Sequence, residues 1–169
     1  MASEHCDACG FDGARYDNDS LLDALHGQGA YWRAMLATSG SNLRVRPEPQ
    51  VWSAIEYAAH TRDVVALHVY GVEQALTGDE PVFPAISDDL VESAATTYGD
   101  ADPDEVVAEL ASHVARLVDV AKDAGGATWA RGLTIGDSRS DVRRLLEHAL
   151  HDSMHHLGDV ERGLALLRD

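Results

Sequence analysis

The most constraining feature of the sequence is a histidine-rich amphipathic stretch near its end. Four histidines fall within nine positions there, at 148, 151, 155 and 156, and Asp152 lies among them. Residues four apart share one face of a helix, so the stretch offers two ligand pairs, His151 with His155 and Asp152 with His156. Either pair supplies side chains that zinc, nickel or iron accepts. The stretch therefore predicts a helix that carries part of a metal site.

Four long amphipathic segments predict an all-α four-helix bundle. The first begins after the Asp17–Ser20 cap cluster, and the last is expected to begin at the Asp137-Ser138 cap. The first helix is expected to run from just after Ser20 to about 38, and the other three over about 50–77, 103–124 and 137–167. Between them we expect an extended segment at 43–49, a loop at 79–102 with a short helical turn near 88–93, and a connector at 129–136. We divide the chain into a leader, residues 1–18, and the bundle, residues 19–169.

Charge and hydropathy exclude two classes of partner. The formal net charge is −16, which argues against nucleic acid because phosphate binding depends on Lys and Arg. No apolar run approaches the roughly 20 residues of a membrane span, and the first residues lack signal-peptide character. We therefore expect a cytoplasmic protein with neither a nucleic-acid nor a membrane partner.

The helical phase of the last segment distinguishes the two ligand pairs. Asp152 and His156 fall within or at the edge of the apolar arc, whereas His148, His151 and His155 turn away from it. A carboxylate and an imidazole at the edge of a core need partners, because otherwise their desolvation is costly. The helical phase favours Asp152 and His156 as the ligand pair. His151 and His155 are either the alternative ligand pair or neighbours that orient the ligands.

A third ligand is expected from another helix. His60 is best placed, because it lies in the middle of the second helix on a stripe with apolar residues, ahead of His68 and His113. Glu56 lies one turn before His60 and is the predicted catalytic general base, with an orienting partner or a surface charge as alternatives. The alternative interpretation of His60, Asp152 and His156 is a buried polar network that binds no metal.

The leader carries a second motif, Cys6-Asp7-Ala8-Cys9-Gly10. Together with His5, the two cysteines offer three zinc ligands, whereas a closed structural site needs four. We consider three interpretations: a small zinc knuckle that borrows a ligand from the bundle, a redox motif, and two unpaired thiols.

Two motifs resemble those of the DinB/YfiT-like superfamily. They are Trp52-Ser53-x-x-Glu56-Tyr57-x-x-His60 and His155-His156-Leu157-Gly158-Asp159-Val160. The resemblance covers about residues 20–168 and implies a four-helix bundle that binds a divalent metal. Members usually use a histidine in the middle of helix two and an i, i+4 pair on the last helix. Aligning the second motif places Asp152 at the first position of that pair, as in the thiol-dependent maleylpyruvate isomerase branch.

The resemblance also implies an activity. Members with known activity are mostly transferases or isomerases that use a low-molecular-weight thiol, so we expect a metal-dependent S-transferase that uses mycothiol and a small electrophile. Zinc is the expected metal, with nickel or iron as alternatives. The competing functions are a non-catalytic metal-containing module of the stress response and a metal-assisted hydrolase. Members often dimerise, so a homodimer is also expected.

Overall fold

The computed structural model describes residues 2–168, except for the side chains of residues 88 and 90. Within that range the chain forms five α-helices. Their bounds are α1 Asn18–Ser39, α2 Ala54–Thr77, α3 Asp88–Tyr98, α4 Pro103–Ala124 and α5 Val142–Leu166. The helices α1 and α2 each pack against both α4 and α5, so α1 and α2 occupy opposite corners of a four-helix bundle. The predicted fold class is therefore confirmed, with α3 as an additional helix against α2.

Capping residues explain where the long helices begin. The Asp17 side chain accepts from the amide of Ser20 at the start of α1, and the Asp102 side chain caps α4 in the same way ahead of Pro103. Helix α2 begins four residues later than predicted, because Ser53 is its N-cap and the side chain of Glu56 accepts from the Ser53 amide.

The predicted start of the last helix is wrong. Residues before Val142 form a β-hairpin, and the side chain of Asp141, rather than Asp137 or Ser138, caps α5. The hairpin strands are β4 Gly132–Ile135 and β5 Ser138–Asp141, and Gly136 between them has a φ of 57°. Glycine adopts that φ readily, which makes this position a turn rather than a helix start.

The predicted loop at 79–102 holds more structure than expected. A short strand, β3 Val82–Phe83, pairs in parallel with β4 and completes a three-stranded sheet. Helix α3 has 11 residues, where only a turn at 88–93 was predicted. Tyr98, its last residue, is buried against the bundle, so tertiary packing stabilises this short helix.

The leader packs directly on α5. Two short antiparallel strands, β1 His5–Cys6 and β2 Phe11–Asp12, form a hairpin within it. The amide of Glu4 donates to Oε2 of Glu147 at 2.7 Å, and the Glu4 carboxylate pairs with Arg144. Glu147 is fully buried, so this junction between leader and helix excludes water.

The core of the bundle is apolar with one polar bridge. Its largest fully buried apolar side chains come from the four long helices and β4: Trp32, Leu21, Leu25, Ile55, Leu110, Leu117, Leu133, Leu146, Leu150, Val65 and Val72. The indole of Trp32 donates to Ser153, whose hydroxyl donates to Gln28. None of the helices within residues 2–168 is long and apolar enough to cross a membrane.

Candidate metal centre

The structure brings the three predicted ligands together. His60 projects from α2 and Asp152 and His156 project from α5, and their ligand atoms all lie within 4.8 Å of one another. Oδ1 of Asp152 lies 3.9 Å from Nε2 of His60 and 3.5 Å from Nε2 of His156. The three side chains are only 14–18% exposed. The helical phase read from the sequence is therefore the one that the bundle adopts.

His156 is oriented by a neighbour that sequence analysis did not single out. Nδ1 of His156 contacts Oδ2 of Asp159 at 2.8 Å, which directs Nε2 toward Asp152. Histidines that bind metals commonly donate their other ring nitrogen to a carboxylate, which fixes the tautomer and the ring plane. The i, i+3 spacing of His156 and Asp159 in the second motif is the signal that could have found this contact.

The unpaired acceptor of Asp152 supports a metal at this position. Oδ2 of Asp152 is buried and makes no hydrogen bond to any described residue. A buried carboxylate oxygen without a partner is costly, and a bound cation would remove that cost. Two imidazoles and one carboxylate also match the ligand set of catalytic zinc, which keeps a fourth position open. The residues therefore fit a divalent metal.

The protonation states of the three side chains suit ligation. Burial lowers the pKa of His60, so its imidazole is neutral at physiological pH. Burial opposes ionisation of Asp152, but the hydrogen bond and positive charge of His156, with the charge of His60, lower the pKa of Asp152. Burial likewise opposes protonation of His156, but Asp152 and Asp159 raise its pKa above the usual value. A metal at this position would therefore compete with a proton for His156.

Aromatic rings surround the two histidines. Trp52 lies edge-on to His60 with 5.3 Å between the ring centroids, and Tyr57 lies 5.0 Å from the ring of His156. Tyr98 lies 6.3 Å from His60 and donates its hydroxyl to Asp63. Sequence analysis missed Tyr98 because α3 was predicted as loop. Trp52 is half-buried and packs against the core beside the site.

A largely apolar cavity of about 610 Å³ opens beside His60 and Asp152. Its lining comes from α2, α3, α5 and the segment before α3: His60, Asp63, Val64, Ala66, Leu67, His68, Ile86, Val91, Ala94, Tyr98, His148 and Asp152. A second cavity of about 780 Å³ adjoins the first and shares three of these residues, His68, Ile86 and His148. The second cavity is more polar, because Glu4, Arg139 and Arg144 line it.

Glu56, the predicted general base, is held in structural contacts. Its carboxylate accepts from the amide and hydroxyl of Ser53 and from the guanidinium of Arg46. Burial raises the pKa of Glu56, but the hydrogen bonds from Arg46 and Ser53 outweigh burial and lower it. These contacts cap α2 and tie the preceding loop to it, and they leave Glu56 outside the group formed by the three ligands.

The alternative pair lies on another side of α5, beneath the leader. The structure groups His151 and His155 with Cys6 and Cys9 rather than with His60. His5, which was considered with the cysteines, is exposed and contacts Asp7 instead. The two pairs on α5 therefore do not compete for one site.

Comparisons with known proteins agree with this arrangement. The sequence matches the model of the DinB superfamily over residues 11–160. No curated protein matches the sequence. Among solved structures, the chain is similar to YfiT from Bacillus subtilis, with a TM-score of 0.77 and 16% identity over 88% of this chain and 87% of that one. YfiT is described as a probable metal-dependent hydrolase with an unusual four-helix bundle topology. At this identity the likeness shows the fold alone.

Proposed function

The chain belongs to the DinB superfamily, and we propose that it is a metal-dependent S-transferase that conjugates or isomerises a small electrophile with mycothiol. The metal, zinc in this proposal, is held by His60, Asp152 and His156. The reaction belongs in the cytoplasm, where thiols are kept reduced.

The observation that carries the proposal is the pair of adjoining cavities beside the three ligands. A thiol transferase must hold two substrates of different polarity with the sulfur at one reactive position. The apolar cavity of about 610 Å³ reaches His60 and Asp152 and suits a small electrophile. The more polar cavity of about 780 Å³, with Arg139 and Arg144 in its lining, suits the sugar portion of the thiol.

Side chains near the proposed metal orient its ligands and make one wall of the cavity apolar. A divalent metal at this centre supplies a lowered pKa to a coordinated thiol or water. Asp159 orients His156, so that two imidazoles and the Asp152 carboxylate present their ligand atoms from one side. Val64, Leu67 and Ala94 form an apolar wall of the cavity. That wall reduces the hydration of a nucleophile held beside His60.

Metal-dependent hydrolysis is the second candidate. It is favoured by the description of YfiT, which shares this fold, as a probable metal-dependent hydrolase. The same open position would then serve water rather than a thiol. The stress-response binding module remains the third interpretation and predicts no turnover.

A turnover assay separates the three functions. Zinc-loaded protein is given a haloaromatic electrophile with and without mycothiol, and the conjugate and the released halide are measured by mass spectrometry and ion chromatography. In the expected reaction the thiol sulfur bonds to the aromatic carbon, halide leaves and the thiol proton passes to solvent.

Conjugate formation that requires both metal and thiol, and that is lost in His60→Ala, supports the transferase. Thiol-independent hydrolysis of ester or amide substrates by the loaded protein would contradict it and favour the second function. Absence of turnover with every thiol and electrophile tested would favour the binding module.

A further inference from the structure

We propose that Cys6, Cys9, His151 and His155 form a second, closed zinc site that fastens the leader to α5. Their ligand atoms, two sulfurs and two ring nitrogens, lie within 4.8 Å of one another. Four such ligands complete a tetrahedral site of the Cys2His2 type and leave no open position. The site is therefore structural, and it is separate from the open centre at His60.

The cysteine half of the site is a preformed turn. Cys6 ends β1 and the chain reverses before β2, with the amide of Gly10 donating to the carbonyl of Cys6 at 2.9 Å. Gly10 has a φ of 73°, which glycine adopts at little cost. The amide groups of Cys9 and Ala8 donate to the Cys6 sulfur and lower the pKa of this thiol, whereas burial raises the pKa of the Cys9 thiol. Amides directed at a sulfur stabilise the thiolate, the form that binds zinc.

The histidine half of the site is one turn of α5. His151 and His155 are four residues apart, and their ring centroids lie 5.6 Å apart. Sγ of Cys6 lies 3.8 Å from Nδ1 of His155, across 149 positions of sequence. Two cysteines with two residues between them and two histidines with three between them are typical ligand spacings of structural zinc.

Each histidine of the site has a carboxylate at its other nitrogen. Oε1 of Glu4 lies 3.0 Å from Nδ1 of His151, and Oδ2 of Asp159 lies 3.6 Å from Nε2 of His155. Both ring nitrogens of His151 are buried and form no hydrogen bond in the described part of the chain, and of the two it is Nδ1 that Glu4 approaches. Carboxylates behind the ring nitrogens are the usual arrangement around zinc-bound histidines. They assign Nε2 of His151 and Nδ1 of His155 as the zinc ligands.

A zinc ion here would give the leader a stability that its strands cannot provide. Strands β1 and β2 have two residues each, and an isolated hairpin of that size is unstable in water. Ligation closes a loop between Cys6 and α5 and holds Phe11, whose ring stacks on His151 with 5.2 Å between centroids.

The two centres share one neighbour. Asp159 contacts His156 of the open centre at 2.8 Å and His155 of the closed site at 3.6 Å. It is also held by Arg162, whose Nη2 lies 2.5 Å from Oδ1. The cluster of His155, His156 and Asp159 can be viewed as a third ligand group. However, His155 already belongs to the group of four and His156 to the group with His60 and Asp152, so we assign Asp159 a positioning role instead.

Cobalt substitution tests the closed site in the full-length protein. Two cysteine ligands predict thiolate-to-cobalt charge-transfer absorption before any external thiol is added. His60→Ala removes the open centre and should retain this absorption, with about one metal per chain. The double variant Cys6→Ser/Cys9→Ser should lose the absorption and one bound metal. His5→Ala is the matched control, because His5 neighbours Cys6 but is exposed and should leave the metal content unchanged.

Retention of the charge-transfer absorption by His60→Ala does not depend on whether the cysteine variant folds. A second readout is thermal unfolding of His60→Ala, where removal of zinc by a chelator should lower the Tm. Reduced wild-type protein that shows no thiolate-to-cobalt absorption would overturn the proposal. So would a Cys6–Cys9 disulfide that persists, by intact mass, in protein purified under reducing conditions with zinc.

Discussion

Nδ1 of His156 lies 2.8 Å from Oδ2 of Asp159, and this contact turns the other nitrogen of His156 toward Asp152. The His156 ring thus lies 5.1 Å, between centroids, from the ring of His60 on the adjacent helix α2. Asp159 also contacts His155, so one carboxylate contacts the imidazoles of two consecutive residues of α5. The following predictions start from this relationship.

The first prediction concerns the ligand that carries the buried unpaired oxygen. Asp152→Asn should reduce metal affinity at the open centre by at least about 10-fold, because the amide retains the shape but loses the charge. The measurement is titration of metal-free Cys6→Ser/Cys9→Ser protein with zinc in competition with a chelating dye. His148→Ala, one turn away on the same helix, is the control. Unchanged affinity in the Asp152→Asn protein would remove Asp152 from the ligand set.

The second prediction concerns Asp159. Asp159→Asn should weaken zinc binding at the open centre by about 10–100-fold, the usual effect of losing an orienting carboxylate. The same dye competition measures it, again with the cysteines replaced. Equal affinity for zinc in the parent and in Asp159→Asn would show that the His156 contact does not contribute to binding.

The third prediction concerns Glu56, which we assign to stability. Glu56→Gln should lower the free energy of unfolding by about 1–3 kcal/mol, because the buried amide and hydroxyl of Ser53 and the exposed guanidinium of Arg46 lose a charged acceptor. Urea unfolding of the metal-free protein measures this change. Turnover per folded molecule should stay near the parent value. A folded, metal-loaded Glu56→Gln protein without turnover would restore Glu56 as the catalytic base.

The sign of the pH dependence follows from the lowered pKa of Glu56. In the folded state its carboxyl stays ionised to lower pH than in the unfolded state. Its contribution is therefore present above the unfolded pKa and is lost as pH falls through the folded pKa. The difference in unfolding free energy between the parent and Glu56→Gln should shrink over that acidic range.

The fourth prediction concerns His68 between the two cavities. Burial lowers its pKa to about 4, and the neighbouring His148, stacked on it at 5.2 Å, acts in the same direction. Below its usual pKa of 6.5 the unfolded chain binds a proton that folded His68 does not. The stability of the metal-free protein should therefore decrease as pH falls from 6.5 toward 4. Urea unfolding at several pH values should give a smaller slope for His68→Gln, and an identical slope would contradict this assignment.

The bundle and the open centre were largely predictable from local pattern. Helix periodicity identified the face that carries Asp152 and His156, and the position of His60 on an apolar stripe indicated its partner helix. These features repeat along the chain with the period of the helix, so a single sequence reveals them. The family match and the fold agree with the predicted bundle.

The remaining elements depend on contacts between distant segments. Strand β3 has two residues and pairs with β4 some fifty positions later, so neither carries a clear local pattern. The contacts between the leader and α5 could not be predicted for the same reason. The CxxC motif was visible in the sequence, but His155 lies 149 positions from Cys6, and no local spacing connects them. Tyr98 was missed because its helix is stabilised by packing on α2.

The most direct test of the central claim uses cobalt-substituted Cys6→Ser/Cys9→Ser protein, in which the proposed open centre is kept and the proposed closed site is removed. Addition of mycothiol should produce a new thiolate-to-cobalt charge-transfer band, and the band should grow as pH rises through the lowered pKa of the bound thiol. The band should be absent in the same protein carrying His60→Ala. A cobalt spectrum that neither mycothiol nor any other low-molecular-weight thiol perturbs would contradict thiol chemistry at His60, Asp152 and His156.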